Sequence, residues 1–149
     1  MALMYKLYQN NNKKSPYYEN WYGRAVSVGT VTTDQLADTI EANCTVKRSD
    51  ILAVISELVV TMRNELQNSK RVKIDRLGTF KLAITTSRSA TAKGFTVSEN
   101  LKNIRVLFQP ELKVGKDGTR VRSLVNGCQV TELPFNNVVK EPAGEQDNG

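Results

Sequence analysis

The sequence predicts an α+β fold, two helices followed by a basic β-sheet with a protruding β-arm. Three observations carry this reading. A helix-capping signature opens at Thr32, with Gln35 three residues on. A wide apolar stripe then recurs at helical spacing from Ile51 to Leu66. Directly after it, Lys70 to Lys81 (KRVKIDRLGTFK) sets a basic, β-branched strand, a tight turn closed by Gly78, and the start of a second strand.

The elements follow in order. Residues 1–31 form an N-terminal β extension. Tyr5 and Leu7 alternate with Lys6 and Tyr8, and Trp21 to Val28 reads as a second strand beyond the polar loop Asn10 to Pro16. All five tyrosines and the one tryptophan lie in the first 22 residues. Aromatics beside Lys and Arg have the chemistry to stack on bases. The plainer expectation is that they pack a small sheet or an interface. Thr32 to Asn43 is the first helix, with Asp34 at its positive end and Leu36, Ala37 and Ile40 on one face. After a break at Thr45 to Arg48, the second helix runs to about Gln67, and Asn68-Ser69 ends it. Its stripe is Ile51, Leu52, Ile55, Leu58, Val59, Met62 and Leu66.

In the hairpin, Val72 and Ile74 face the same way as Phe80, Leu82 and Ile84. Arg71, Lys73, Thr79, Lys81 and Ala83 take the other face. Gly78 is expected at positive φ. Thr85 to Asn103 is poor in large apolar residues and is expected as a mobile, protruding arm. Ile104 to Phe108 returns as a strand that Pro110 stops. Lys116-Asp117-Gly118 is a turn, Arg120 to Val125 a short element of undefined type, and Leu133 to Val139 a further strand. The organisation expected is therefore residues 1–31, a main domain over 32–126, and a C-terminal extension over 127–149. Glu141 to Gly149 is polar and expected to be disordered.

Charge narrows the function. The 149 residues carry a net +6. From Lys70 to Arg122 there are 13 Lys or Arg against four acids, so the positive field sits in the β-rich half. There is no histidine, the usual general base and metal ligand near neutral pH. The two cysteines, Cys44 and Cys128, lack paired-ligand spacing, and Cys44 is expected as a small buried hydrophobe. No metal site, cofactor, small-molecule substrate or catalytic constellation is expected. With no apolar leader and no apolar run of membrane-spanning length, the chain is expected to be cytoplasmic with reduced thiols.

The stripe on the second helix is wider than one short helix and a small sheet can cover. That predicts a self-complementary homodimer whose interface includes Ile55, Leu58, Val59 and Met62.

The run from Thr32 to Ile84 resembles the body of the HU / integration host factor family of bacterial histone-like DNA-binding proteins. It has the same capped helix, short turn, long helix, strand, Gly turn and Phe-bearing strand. Leu77-Gly78-Thr79-Phe80 is similar to the family's turn, and Arg105 to Pro110 (RVLFQP) to the stretch where the family's arm re-enters the body. The resemblance implies an HU-like fold and an intertwined dimer whose two β-arms embrace double-stranded DNA in the minor groove. It implies a sequence-tolerant architectural role in the nucleoid. Lys47 and Arg48 at the start of the second helix would meet phosphates, as would Arg71, Lys73, Arg76, Lys81, Arg88, Lys93, Lys102 and Arg105 along the saddle and arms. Family arms carry a proline that wedges between base steps. This chain has no proline between Gly78 and Pro110, and Phe95 is the large apolar residue in that segment, so weaker bending is expected. The alternative is an HU-like protein–protein interaction or structural module without strong DNA binding. Its surfaces would be the aromatic N-terminal strands and the acidic tail.

Overall fold

The structure, a computed structural model, describes residues 2–134. In chain order its elements are β1 (Ala2–Gln9), β2 (Trp21–Ala25), α1 (Thr33–Asn43), α2 (Arg48–Gln67), β3 (Val72–Ile74), β4 (Gly78–Thr86), α3 (Val97–Asn100), β5 (Leu101–Pro110), β6 (Leu112–Val114), β7 (Arg120–Arg122) and β8 (Gln129–Glu132). They form two compact units. One is Val31–Asn126; the other joins the chain up to Thr30 with the chain from Gly127 onward.

In the first-named unit, Thr32 caps α1 as its sequence predicts. The Thr32 hydroxyl accepts from the Gln35 N–H, and the Gln35 side chain accepts from the Thr32 N–H. Helix α2 packs on α1 and on β3 and β4. The sheet β3-β4-β5 is antiparallel, with Val72 opposite Phe80, Phe80 opposite Phe108, Leu82 opposite Val106 and Ile84 opposite Ile104. The Phe80 and Phe108 rings lie 4.7 Å apart. Gly78 starts β4 at φ +152°, and a Cβ there would stand 2.3 Å from the Gln109 carbonyl oxygen. Only glycine fits this crossing of β3, β4 and β5.

The buried hydrophobic side chains among the described residues are Ala37, Ile51 and Leu66. The apolar face of the sheet remains open: Ile84 is 63% exposed, Ile104 56% and Val106 58%. Along α2, Leu58 and Val59 are exposed and Ile55 and Met62 half-buried. Val59, Met62, Leu66, Phe80, Leu82 and Val106 line one open apolar groove between helix and sheet.

The other unit is a three-stranded sheet in the order β2-β1-β8. Strand β2 runs antiparallel to β1, and β8 parallel to it. The loop between β1 and β2 is closed by backbone bonds from Asn10 to Asn20 and from Glu19 to Asn10.

Several expectations need correction. Cys44 is exposed, not buried: it follows the last turn of α1 in extended conformation, where the chain leaves the helix. The segment Thr85 to Asn103, expected as a mobile, protruding arm, is partly regular. Strand β4 continues through Thr86, β5 starts at Leu101, and α3 fills the end of the connection. Strand β5 starts ahead of Ile104, at Leu101, and ends at Pro110 as expected. Strand β2 stops at Ala25, short of Val28. Arg120 to Arg122 resolves as β7, paired with β6. The strand expected over Leu133 to Val139 lies outside the described residues from position 135 on; Leu133 and Pro134 are not in a strand, and the tail from Glu141 also lies outside.

Candidate functional site

Pleating divides the β3-β4-β5 sheet into two chemically distinct faces. Opposite the apolar face, the register brings Lys73 beside Thr79, Thr79 beside Gln109, Lys81 beside Leu107, Ala83 beside Arg105 and Thr85 beside Asn103. Strand alternation therefore collects Lys73, Lys81 and Arg105 on one side, with no carboxylate among their paired neighbours. Arg71 precedes β3 in the same phase and lines, with Lys81, two shallow grooves at this edge; Thr79 and Gln109 complete one of them. The Lys73 ammonium lies 3.2 Å from Asp75, but both side chains are well exposed, so the pair holds Lys73 weakly.

The other candidate cations are placed differently. Arg76 sits in the β3–β4 turn at φ +70°. Lys102 is on β5 at the register shift between the Thr85–Asn103 and Thr86–Leu101 pairs, close to the hairpin tip. Arg88 and Lys93 belong to the connection between β4 and β5. Lys47 is the N-cap of α2 and provides no side-chain cap. Arg48 is engaged within the chain. Its guanidinium donates to Asp38 and Asp34 of α1, while its backbone N–H donates to the Glu41 carboxylate. The Asp38 and then the Asp34 hydrogen bonds raise its pKa further, so it stays charged and ties the start of α2 to α1.

The tip contains a feature that sequence reading missed. Asn100 is 7% exposed, the one buried polar residue among those described. Its amide donates to the Ser87 hydroxyl and the Arg88 carbonyl, and its Oδ1 accepts from the Thr96 N–H. Ser87 N–H in turn donates to the Asn100 carbonyl. One side chain thus fastens both ends of the connection. The visible signal was Thr96-x-x-Glu99, which caps α3. Phe95 (42% exposed) projects from this fastened tip.

The β6–β7 hairpin carries a further group of basic residues that the sequence did not single out. Lys113, Lys116, Arg120 and Arg122 lie on it or in its turn. Asp117 holds that turn by accepting from the Thr119 hydroxyl and N–H, bonds that lower its pKa. Among the described residues, no group of three or more His, Cys, Asp or Glu is placed to hold a metal ion. No helix among them is long and apolar enough to cross a membrane.

A family model described as "HU domain fused to wHTH, Ig, or Glycine-rich motif" matches residues 1–123. Among solved structures, the chain is similar to one from Bacteroides vulgatus ATCC 8482 described as a "Putative bacterial DNA binding protein". The TM-score is 0.61 at 15% identity, over 89% of this chain and 48% of that one. The chain thus spans about half the length of that relative, and at this identity the likeness is one of fold. No curated protein matches.

Proposed function

The chain belongs to the family of HU domains fused to wHTH, Ig or glycine-rich motifs, and on that premise we propose that it is a non-catalytic architectural protein that binds double-stranded DNA. The binding is sequence-tolerant. One observation carries this reading: the β3-β4-β5 sheet has an open apolar face and, opposite, a face bearing Lys73, Lys81 and Arg105 with no carboxylate among their paired neighbours, Asp75 lying beside Lys73 just past the end of β3.

The two faces have separate roles. The open apolar face continues onto α2 at Val59, Met62 and Leu66. A two-fold partner buries it, and Ile55, Leu58, Val59 and Met62 belong to that interface. The dimer then presents two copies of the basic face. Arg71, Lys73, Lys81 and Arg105 neutralise phosphates on the saddle; Arg76, Arg88, Lys93 and Lys102 extend the contact toward the turn and the tip. Lys47 adds a cation at the start of α2. Arg48, already paired with two carboxylates, acts chiefly in positioning α2. The surface is built of Lys and Arg with few Asn or Gln among them, so phosphate contacts dominate and sequence discrimination is small. A tip without proline bends DNA less than a proline-tipped arm does. The working site is the nucleoid.

Binding of two unrelated duplexes of equal length tests this reading. Lys73→Glu with Lys81→Glu is expected to weaken both by the same factor. A loss confined to one duplex would contradict sequence tolerance, and no loss on either would remove this face from the site.

A further inference from the structure

We infer that the Lys6, Tyr8, Tyr22 and Arg24 face of the β2-β1-β8 sheet is a second nucleic-acid surface, one that takes the unpaired bases of a single strand. The sheet is amphipathic. Its register puts Leu3 beside Val130 and sets Tyr5 and Leu7 across from Ala25 and Gly23, so one face is largely apolar, with Trp21 opposite Gln9 at one end and Glu132 beside Tyr5. The other face pairs Lys6 with Arg24 and Tyr8 with Tyr22, flanked by Gln129 and Thr131.

Charge on this second face is of one sign. Lys6 and Arg24 are cross-strand neighbours, and among the described residues no strand carboxylate shares their side of the sheet. Two like charges directly opposite each other disfavour the strand pair, which an anionic ligand would relieve. Beside them the Tyr8 and Tyr22 rings lie 5.8 Å apart at 32°, each more than a third exposed. The Arg24 guanidinium sits 4.5 Å from the Tyr8 ring centre, so the cation is ordered before any ligand arrives. Flat aromatic surface beside fixed cations suits a base and its phosphate. Paired bases hide their π-faces within the stack, so the tyrosines favour unpaired ones. An apolar protein partner would use the Leu3, Leu7 and Trp21 face instead.

The test titrates the full chain with oligothymidylate and with a duplex of equal length. Tyr8→Ser with Tyr22→Ser is expected to weaken single-strand binding at least about tenfold, since each stacked base contributes substantially. Lys6→Gln with Arg24→Gln is expected to lower the salt slope for the single strand by about 0.7 per charge. Duplex affinity in both variants is expected to stay within about twofold of the unmodified chain, because the proposed duplex contacts are on other strands. A chain that fails to bind the single strand at low salt overturns the inference. So does unchanged single-strand affinity in the Lys6/Arg24 variant, which removes no packed ring. Loss of duplex binding alone, in Lys73→Glu with Lys81→Glu, would leave this inference standing.

Discussion

Replacing Leu58 by Asp separates a chain that functions alone from one that needs a partner. Leu58 is 43% exposed within one chain. If nothing covers it, the change is an ordinary surface substitution worth within about 0.5 kcal/mol. In the proposed dimer the same position is buried. Completing the burial of a leucine contributes on the order of 1 kcal/mol, since full burial is worth about 1.5–3 kcal/mol. An unpaired carboxylate in its place costs about 3–5 kcal/mol. A two-fold interface carries the change twice, so the penalty reaches roughly 6 kcal/mol or more per dimer, on the order of 10^4-fold in the dimer dissociation constant. Sedimentation velocity across a concentration series reads this directly, and the melting temperature should become less dependent on concentration. A stable monomer for the unmodified chain at micromolar concentration would refute the reasoning. An unaltered dimer in the Leu58→Asp variant would place the interface elsewhere.

Other predictions follow from single features. Asn100→Ala removes the side-chain partner of the Arg88 carbonyl and the Thr96 N–H and leaves the Ser87 hydroxyl only the Asn100 backbone carbonyl. A local loss of about 1–3 kcal/mol should speed tryptic cleavage after Arg88 and Lys93 while the body stays folded. Gly78→Ala forces a Cβ to 2.3 Å from the Gln109 carbonyl at a φ that side chains avoid. It should cost more than about 3 kcal/mol by denaturant midpoint. Asp34→Asn with Asp38→Asn frees the Arg48 guanidinium. Its raised pKa should fall back, and the duplex salt slope should steepen by about one if the freed cation reaches a phosphate. Acidification has a definite sign at Asp117, whose folded pKa is lowered chiefly by the Thr119 hydroxyl. Its contribution is present above the unfolded pKa and lost as pH falls through the folded one, so Asp117→Asn should reduce acid sensitivity of the β6–β7 turn by amide exchange.

Local chemistry was legible in the sequence. The Thr32–Gln35 capping box, the extent of α2 and the alternation of Val72, Ile74, Phe80 and Leu82 each depend on neighbours a few residues away. What escaped depends on distant partners. Strand β8 pairs in parallel with β1 from the far end of the chain, and its short sequence, QVTE, carries no signal of that partner. Arg48 looks like any solvated cation until α1 folds back to offer Asp34 and Asp38. Asn100 is polar and sits in a polar segment, so its burial shows only when Ser87 and Arg88 meet it. Cys44 was misplaced because small apolar character says little about a position just past a helix end. For the basic face, alternation gave Lys73 and Lys81, whereas the pairing of Arg105 with Ala83 needed the register of β5.

The affinity of the unmodified chain for a random-sequence duplex, followed through a salt series, tests the central claim most directly. Phosphate contacts through Arg71, Lys73, Lys81 and Arg105 in both copies of a dimer predict that log affinity falls linearly with log salt, with a slope approaching about −7 at roughly 0.9 per contact. No duplex binding at low ionic strength, or binding indifferent to salt, would contradict the account and favour a protein-interaction module on the same fold.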